Sequence, residues 1–404
     1  MERAAPENLR QTEELVVAAL AEKRPLEILG AGSKRGFGRP VEARLALSTE
    51  RLAGVTLYEP GELVMTAGAG TPLAEIEAML AEHRQELAFE PADYGRITGG
   101  EPGRQTIGGV FACNLSGPRR IKAGAARDHL LGLRCVTGFG REIKTGGRVM
   151  KNVTGYDLCK LLTGSFGTLA VITELTFKVL PAAETAGTLL LSGAAEADLL
   201  AALRAAMGTP YDVSAAALLP VPVAARSAVE AVRSAGRALA VIRVEGPAPS
   251  VDYRLERLTA ALTAPGRSFA RLDAEASRLL WREIRDLALL PETSCLWRLS
   301  VPPSAAEAVA SRLSGLAAAR LHDWSGGLVW LAMEETSAEE ARAIRESFAA
   351  FGGHATLVRA PEAVRAAVEV FQPQPPALAA LTRRVKASFD PERILNRGRM
   401  YREC

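Results

Sequence analysis

Residues 105–128 read QTIGGVFACNLSGPRRIKAGAARD. Thr106-Ile107 runs into adjacent glycines, Gly108 and Gly109, and Ser116-Gly117-Pro118 follows ahead of a basic cluster of Arg119, Arg120, Lys122 and Arg127. Glycine has no Cβ, so main chain at such positions can lie flush against a flat, polar ligand. The segment reads as one that holds a cofactor; a tight hairpin or a helix start with glycines for packing is the plainer alternative. An arginine of the cluster would neutralise a phosphate or a substrate carboxylate, against the alternative of an ordinary solvated face.

Upstream, the short apolar strand LEIL runs into Gly30-Ala31-Gly32-Ser33-Lys34-Arg35-Gly36-Phe37-Gly38. Successive amides in a glycine turn make an anion nest, to which Ser33 adds a hydroxyl and Lys34 a charge. A dinucleotide pyrophosphate suits it, each donor to a charged group contributing about 1.5–3 kcal/mol. Two familiar phosphate loops fail on spacing. The Rossmann fingerprint needs G-x-G-x-x-G opening a helix, but one residue too many precedes Gly36, and Pro40 interrupts any crossover helix. A P-loop needs G-K-[ST], which the loop lacks. Downstream, Met150-Lys151-Asn152-Val153-Thr154-Gly155-Tyr156-Asp157-Leu158 and Gly164-Ser165-Phe166-Gly167-Thr168 lead into the β-branched run ending Ile172-Thr173-Glu174.

A chain of 404 residues exceeds one ordinary core, so two domains are expected. The first, 1–181, reads as α+β: a helix over 8–23, a strand over 26–32, a helix over 72–83 capped by Thr71 with Pro72 at its first position, and strands over 63–67, 130–137 and 168–179. From 182 to 385 glycine thins and strand–helix units alternate. Strands fall at 187–192, 213–219, 238–245, 294–301, 328–333 and 354–359, and helices at 196–207, 223–235, 250–263, 304–318 and 337–350. This pattern predicts an antiparallel sheet covered by helices, a cap. Residues 386–404 regain the turn chemistry of the first domain and are expected to return to it.

The 49 basic and 46 acidic residues leave +3, too balanced for a nucleic-acid partner. Five cysteines stand far apart, without the spacing of a disulfide framework, zinc site or iron–sulfur cluster, and read as small buried apolar residues. A polar N-terminus and the lack of a long apolar run lead to the expectation of a cytoplasmic protein.

The order GAGSK loop, TIGG…SGPRR…ARD, KNVTGYDL…GSFGTLAVITE resembles the FAD-binding domain of the vanillyl-alcohol oxidase/PCMH flavoprotein superfamily, and within it the FAD-binding subunits of bacterial glycolate oxidases. LWREIR (280–285), LWRLSVP (296–302), Asp323-Trp324, Gly353-His354-Ala355-Thr356 and Asn396-Arg397-Gly398-Arg399-Met400-Tyr401 extend that resemblance through the cap. It implies a two-subdomain FAD fold with a cap over the flavin ring. Gly30, Ala31, Gly32, Ser33 and Lys34 would hold the pyrophosphate with Ile107, Gly108 and Gly109. Asn114, Ser116 and Gly117 would sit near the ring, Gly167 and Ile172 would offer backbone contacts, and Asn396 and Gly398 would close the site. Many relatives attach FAD through a histidine in the first loop; Ser33-Lys34-Arg35 stands there, so non-covalent FAD is expected. The relatives' Asn-Pro-Gly turn is Asn396-Arg397-Gly398.

Oxidising a 2-hydroxy acid requires a base for the hydroxyl proton while hydride leaves for the flavin. The four histidines, His83, His129, His322 and His354, form no ligand pattern, so no metal is expected. His129 beside Asp128 is the nearest candidate base, and no catalytic residue is assigned. The resemblance implies oxidation of glycolate with electrons passing through FAD to a larger FAD-containing subunit and an iron–sulfur subunit, and leaves room for peripheral attachment to the inner membrane through them. The alternative is a stand-alone oxidase or dehydrogenase of a small 2-hydroxy acid such as D-lactate. There Arg298 or an arginine of 119–127 would take the carboxylate and Tyr156 would hydrogen-bond the substrate.

Overall fold

A computed structural model describes residues 2–148, 155–193 and 195–404. Met150 to Thr154 of the third motif lie outside them. The chain forms two compact units: residues 1–116, 124–182 and 373–404 make the first, and 117–123 with 183–372 the second. The C-terminal return therefore begins at Pro373, and the short run from Gly117 to Ala123 packs with the second unit.

Among the described residues the first unit holds three sheets, the smallest an antiparallel pair of Gln85–Glu86 with Leu180–Pro181. Glu2–Ala4, Leu45–Ser48 and Leu26–Leu29 lie parallel, and an antiparallel sheet follows the order Val55–Glu59, Val64–Gly68, Ala170–Lys178, Leu130–Thr137, Glu142–Gly146. Asn8 caps the helix Leu9–Ala21 by accepting the Gln11 amide, and Val16 and Ala19 of that helix are fully buried against Leu26, Leu47 and Val136. Ile394 and Leu395 complete this core from the far end of the chain. The second predicted helix starts one residue late, at Leu73–Glu82 with Pro72 as its cap. Thr71 is not its side-chain cap, because its hydroxyl donates to the Gly68 carbonyl and accepts the Gly54 amide instead.

The second unit is an eight-stranded antiparallel sheet in the order Ser268–Leu272, Thr185–Ser192, Leu239–Gly246, Ala215–Leu219, Ala319–Asp323, Leu328–Met333, Cys295–Ser300, His354–Arg359. Leu199, Leu203 and Ala206 of the helix Glu196–Met207 and Val251, Leu255 and Leu258 of the helix Ala248–Leu262 pack on one face. The helix Ala274–Arg285 packs against the same sheet, where the Trp281 indole donates to Thr188 at 2.9 Å and Arg243 lies 4.9 Å over its ring.

Two expected helices are interrupted. Instead of 223–235 there are two short turns, Val221–Ala224 and Glu230–Arg233, because Glu283 accepts both the Ser227 hydroxyl (2.6 Å) and the Ala228 amide (2.7 Å) between them. Instead of 304–318, a single turn of 3-10 helix precedes Ala306–Arg312, and the strand Ala319–Asp323 begins soon afterwards.

Candidate cofactor site

A cleft opens in the first unit where the strand Leu26–Leu29 gives way to the glycine loop. Ten of the residues singled out from the sequence line it: Gly30, Ala31, Gly32, Ser33, Lys34, Gly108, Gly109, Gly167, Ile172 and Asn396. Glycine is required at two of these because the space for a side chain is already taken. A Cβ on Gly30 would lie 2.4 Å from Thr106 Oγ1, and one on Gly108 would lie 2.6 Å from the Ala69 carbonyl oxygen. The loop and the short helix Ile107–Ala112 thus approach their neighbours more closely than a methyl permits. On Gly109 a Cβ would sit in ordinary van der Waals contact with Lys34 Nζ and Thr106 Oγ1, each at 3.5 Å, so that glycine lies directly beside the lysine.

Lys34 dominates the electrostatics. It is 8% exposed, and its Nζ donates to Gln105 Oε1 at 3.0 Å. Among the described residues no carboxylate lies within ion-pairing distance of it. Burial pulls its pKa down to about 8. Deeper in the cleft Glu27 is matched by Arg35 at 3.0 and 2.6 Å, and Arg399 lies 3.8 Å from the same carboxylate while donating to the Lys34 carbonyl at 2.8 Å. Among the described residues the amides of residues 30 to 34 donate to no acceptor of the chain, so they join Lys34 as donors awaiting an anion.

The C-terminal segment closes one side. Asn396, with φ of 41°, accepts the Ile28 amide at 2.8 Å and donates to the carbonyls of Ile28 (3.2 Å) and Phe166 (2.7 Å). Lys386 fixes the segment from behind, donating to the carbonyls of Thr168 (2.6 Å) and Leu395 (2.9 Å) and to Asp390 at 2.7 Å.

Five expected residues do not line the cleft. Ile107 is fully buried in the core beneath the short helix. Asn114 accepts the Arg127 amide at 2.9 Å. Ser116 ends a run of the first unit, whereas the Gly117 carbonyl takes the Trp324 indole N–H at 3.0 Å in the second. Gly398 spends its amide on the Cys404 carbonyl. In their place the structure adds Glu27, Thr49, Arg399 and Cys113. Cys113 carried only the signal of a small apolar residue, and burial pushes its thiol up to about 11, so it stays protonated and a poor nucleophile.

His129 is not placed as a base. It is fully buried with its ring 5.1 Å from that of Phe89, and Asp128 is engaged with the Ala125 amide at 2.8 Å. Tyr156 is 92% exposed. Among the described residues no cluster of His, Cys, Asp and Glu is arranged to hold a metal, and no helix is long and apolar enough to cross a membrane.

Fold and cleft define a flavoprotein oxidoreductase: the FAD binding domain family matches residues 3–146, and the C-terminal domain of FAD linked oxidases matches residues 364–400. Over 394 residues the chain is 36% identical to the glycolate oxidase subunit GlcE of Escherichia coli, covering 96% of both proteins. It belongs to that family of FAD-binding glycolate oxidase subunits. The D-lactate dehydrogenase of Archaeoglobus fulgidus is 34% identical over 179 residues, 44% of this chain and 38% of that one. The solved 4-ethylphenol oxidase of Gulosibacter chungangensis superposes with a TM-score of 0.70 at 15% identity, covering 99% of this chain and 89% of that one, and so shares the fold.

Proposed function

We propose that this chain is the GlcE-type subunit of a glycolate oxidase complex, working on the oxidation of glycolate to glyoxylate. The observation that carries the reading is the end-to-end match to GlcE, cap included, where the D-lactate dehydrogenase match stops at less than half of the chain. The relative's designation as a subunit supports a multi-subunit assembly. A larger FAD-containing subunit, an iron–sulfur subunit and attachment to the inner membrane through them are the finer form of the proposal.

The residues present fit FAD. An anion nest with unused amides, a buried ammonium that among the described residues has no carboxylate partner, and a glycine directly beside it match a pyrophosphate. Gly30, Ala31, Gly32, Ser33, Lys34, Gly108 and Gly109 would hold that group, with Gly167, Ile172 and Asn396 toward the rest of the cofactor. Ile107, Asn114, Ser116, Gly117 and Gly398 would support these positions without lining the cleft. When bound, FAD supplies a two-electron acceptor for the carbon bearing the hydroxyl. Arg35 and Arg399 hold Glu27 neutralised, leaving Lys34 as the charge that faces the ligand. Attachment is non-covalent: none of the four histidines lines the cleft, and the Cys113 thiol stays protonated.

The test is a visible spectrum of the purified chain, then acid precipitation and an anaerobic glycolate titration with and without the partner subunits. A yellow supernatant, little bleaching by the chain alone and full bleaching in the complex are expected. A colourless protein that takes up no FAD overturns the cofactor assignment, and full turnover by the isolated chain overturns the subunit assignment.

A further inference from the structure

The helix Pro376–Phe389 of the first unit is packed inside out. Its one buried residue is Lys386, while Leu378 is 47% and Leu381 50% exposed. A helix on a finished surface turns its apolar stripe inward and its charges to water. Here Thr168, Asp390 and Leu395 hold the lysine inside, and the leucines face out. Leu378, Leu381, Val385 and Phe389 are spaced by three, four and four positions, so they share one flank of the helix over about 16 Å. Val385 and Phe389 are half-buried.

That flank does not end with the helix. The Phe389 carbonyl accepts the Gly138 amide at 2.9 Å, which sets the helix end against the turn between Leu130–Thr137 and Glu142–Gly146. Phe139, in that turn, is exposed. Beside it a Cβ on Gly140 would lie 2.3 Å from Val17 Cγ2, so the exposed Val17 rests on the backbone of the turn. Leu378, Leu381, Phe139 and Val17 thus belong to one stretch of surface on the first unit. Single exposed apolar side chains are ordinary, whereas a group of them marks an interaction surface.

The rim is arginine. Arg384 stands one helical turn beyond Leu381, and Arg393 and Arg397 follow in the C-terminal segment. All three are exposed, and among the described residues no carboxylate pairs with them. The acids nearby are matched already, Glu403 by Arg383 and Glu392 by Lys23 at 3.1 Å. A twofold contact brings a patch onto itself, so two copies meeting here would set these cations against one another. The one lysine of residues 373–404 is the buried Lys386. Arginine and aromatic side chains without exposed lysine are what distinguish a protein interface from the surface around it.

We propose that this surface, with Leu378, Leu381 and Phe139 at its centre and Arg384 and Arg397 at its rim, docks another subunit of the oxidase assembly, one that presents apolar side chains ringed by carboxylates. The partner covers the outward flank of the helix, and its carboxylates take the arginines in paired hydrogen bonds. The occupant rests on the subunit reading above; the surface itself is read from the first unit alone.

The experiment co-expresses the full chain with the larger FAD-containing and iron–sulfur subunits, sizes the complex by light scattering, and titrates those subunits with the purified chain. Leu378→Asp and Leu381→Asp should each weaken assembly about tenfold or more, as a leucine loses its burial. Arg384→Glu should weaken it too and make it less sensitive to added salt. Tyr253→Asp, exposed on the helix Ala248–Leu262 of the second unit, should change nothing. Every variant should keep the FAD content and urea midpoint of the parent chain. Assembly indifferent to both leucine substitutions overturns the surface and leaves the subunit reading standing, whereas a parent chain that joins neither subunit overturns both. Self-association, or flotation with phosphatidylglycerol vesicles, that Leu381→Asp abolishes while assembly is untouched assigns the surface to a second copy or to a bilayer and overturns the proposed occupant.

Discussion

Lys34 Nζ lies 3.0 Å from the side-chain oxygen of Gln105, and Gln105 is itself held by donating to the Ala92 carbonyl at 3.1 Å. A neutral amide is thus the main support of a buried ammonium. That arrangement costs stability until an anion arrives. Replacing Lys34 with Met removes the unmatched charge and the binding charge together. We expect Lys34→Met to weaken FAD about 10- to 100-fold, from the loss of about 1.5–3 kcal/mol, while the FAD-free protein melts at a higher temperature. Flavin fluorescence on dilution and a thermal melt of the stripped protein check the two halves separately.

The same lysine makes cofactor affinity pH-dependent. In the empty protein its pKa is about 8, and a bound pyrophosphate favours the protonated form and raises it. The stabilisation of the complex is therefore fully present below pH 8 and is lost as pH rises toward the pKa of the loaded state. FAD dissociation constants measured from pH 6.5 to 10 should be flat at first and then climb; in Lys34→Met the climb should vanish.

His322 predicts an acid sensitivity of the second unit. It is fully buried, neither ring nitrogen has a hydrogen-bond partner among the described residues, and burial, with Arg320 adding to it, pushes its pKa down from 6.5 to about 3. The unfolded chain takes up this proton below pH 6.5 and the folded one does not, so stability is kept above 6.5 and lost as pH falls toward 3. At pH 5 the loss is about 2 kcal/mol. Urea unfolding of His322→Leu at pH 7.5 and 5 should show a smaller acid loss than the parent.

The buried pair Lys386–Asp390 anchors the C-terminal segment, with Asp390 also accepting the amides of Ile394 (3.0 Å) and Leu395 (2.8 Å). Lys386→Met leaves that carboxylate buried without its cation, which costs about 3–5 kcal/mol. Urea midpoints measure the loss, and FAD retention should fall with them because Asn396 hangs on the same segment.

Gly108→Ala forces a methyl against the Ala69 carbonyl oxygen, a backbone atom that cannot rotate away. A cost of about 1–3 kcal/mol and poor FAD loading are expected. Gly54→Ala meets no atom within 4 Å but sits at φ of 110°, so it should lose stability through strain while loading FAD normally. Flavin-to-protein absorbance ratios separate the two.

Much of the fold was legible because local pattern and tertiary need agree. The helix Glu196–Met207 and the strand Leu130–Thr137 fall on their expected bounds, each with strong periodicity and nearby breakers. Misreadings arise where a distant residue decides. Glu283 splits the expected helix 223–235 from 55 and 56 residues away, a contact no window of sequence contains. The five-residue strands Val55–Glu59 and Ser268–Leu272 stand at sheet edges, outside the strands expected from the sequence. In the cleft, glycine chemistry announced residues 30–34 and 108–109. Arg399 gave no such sign, since its place depends on a bond to the Lys34 carbonyl 365 residues earlier.

Asn396 bridges Ile28 and Phe166 across 368 and 230 positions of chain. During synthesis, one wall of the cleft therefore stays missing until Asn396 has been made. The nascent first unit has its glycine loop and its sheet early, but no finished receptacle before that residue, so a flavin that needs this wall waits for it. Chains that stop short of Asn396 would be left uncoloured.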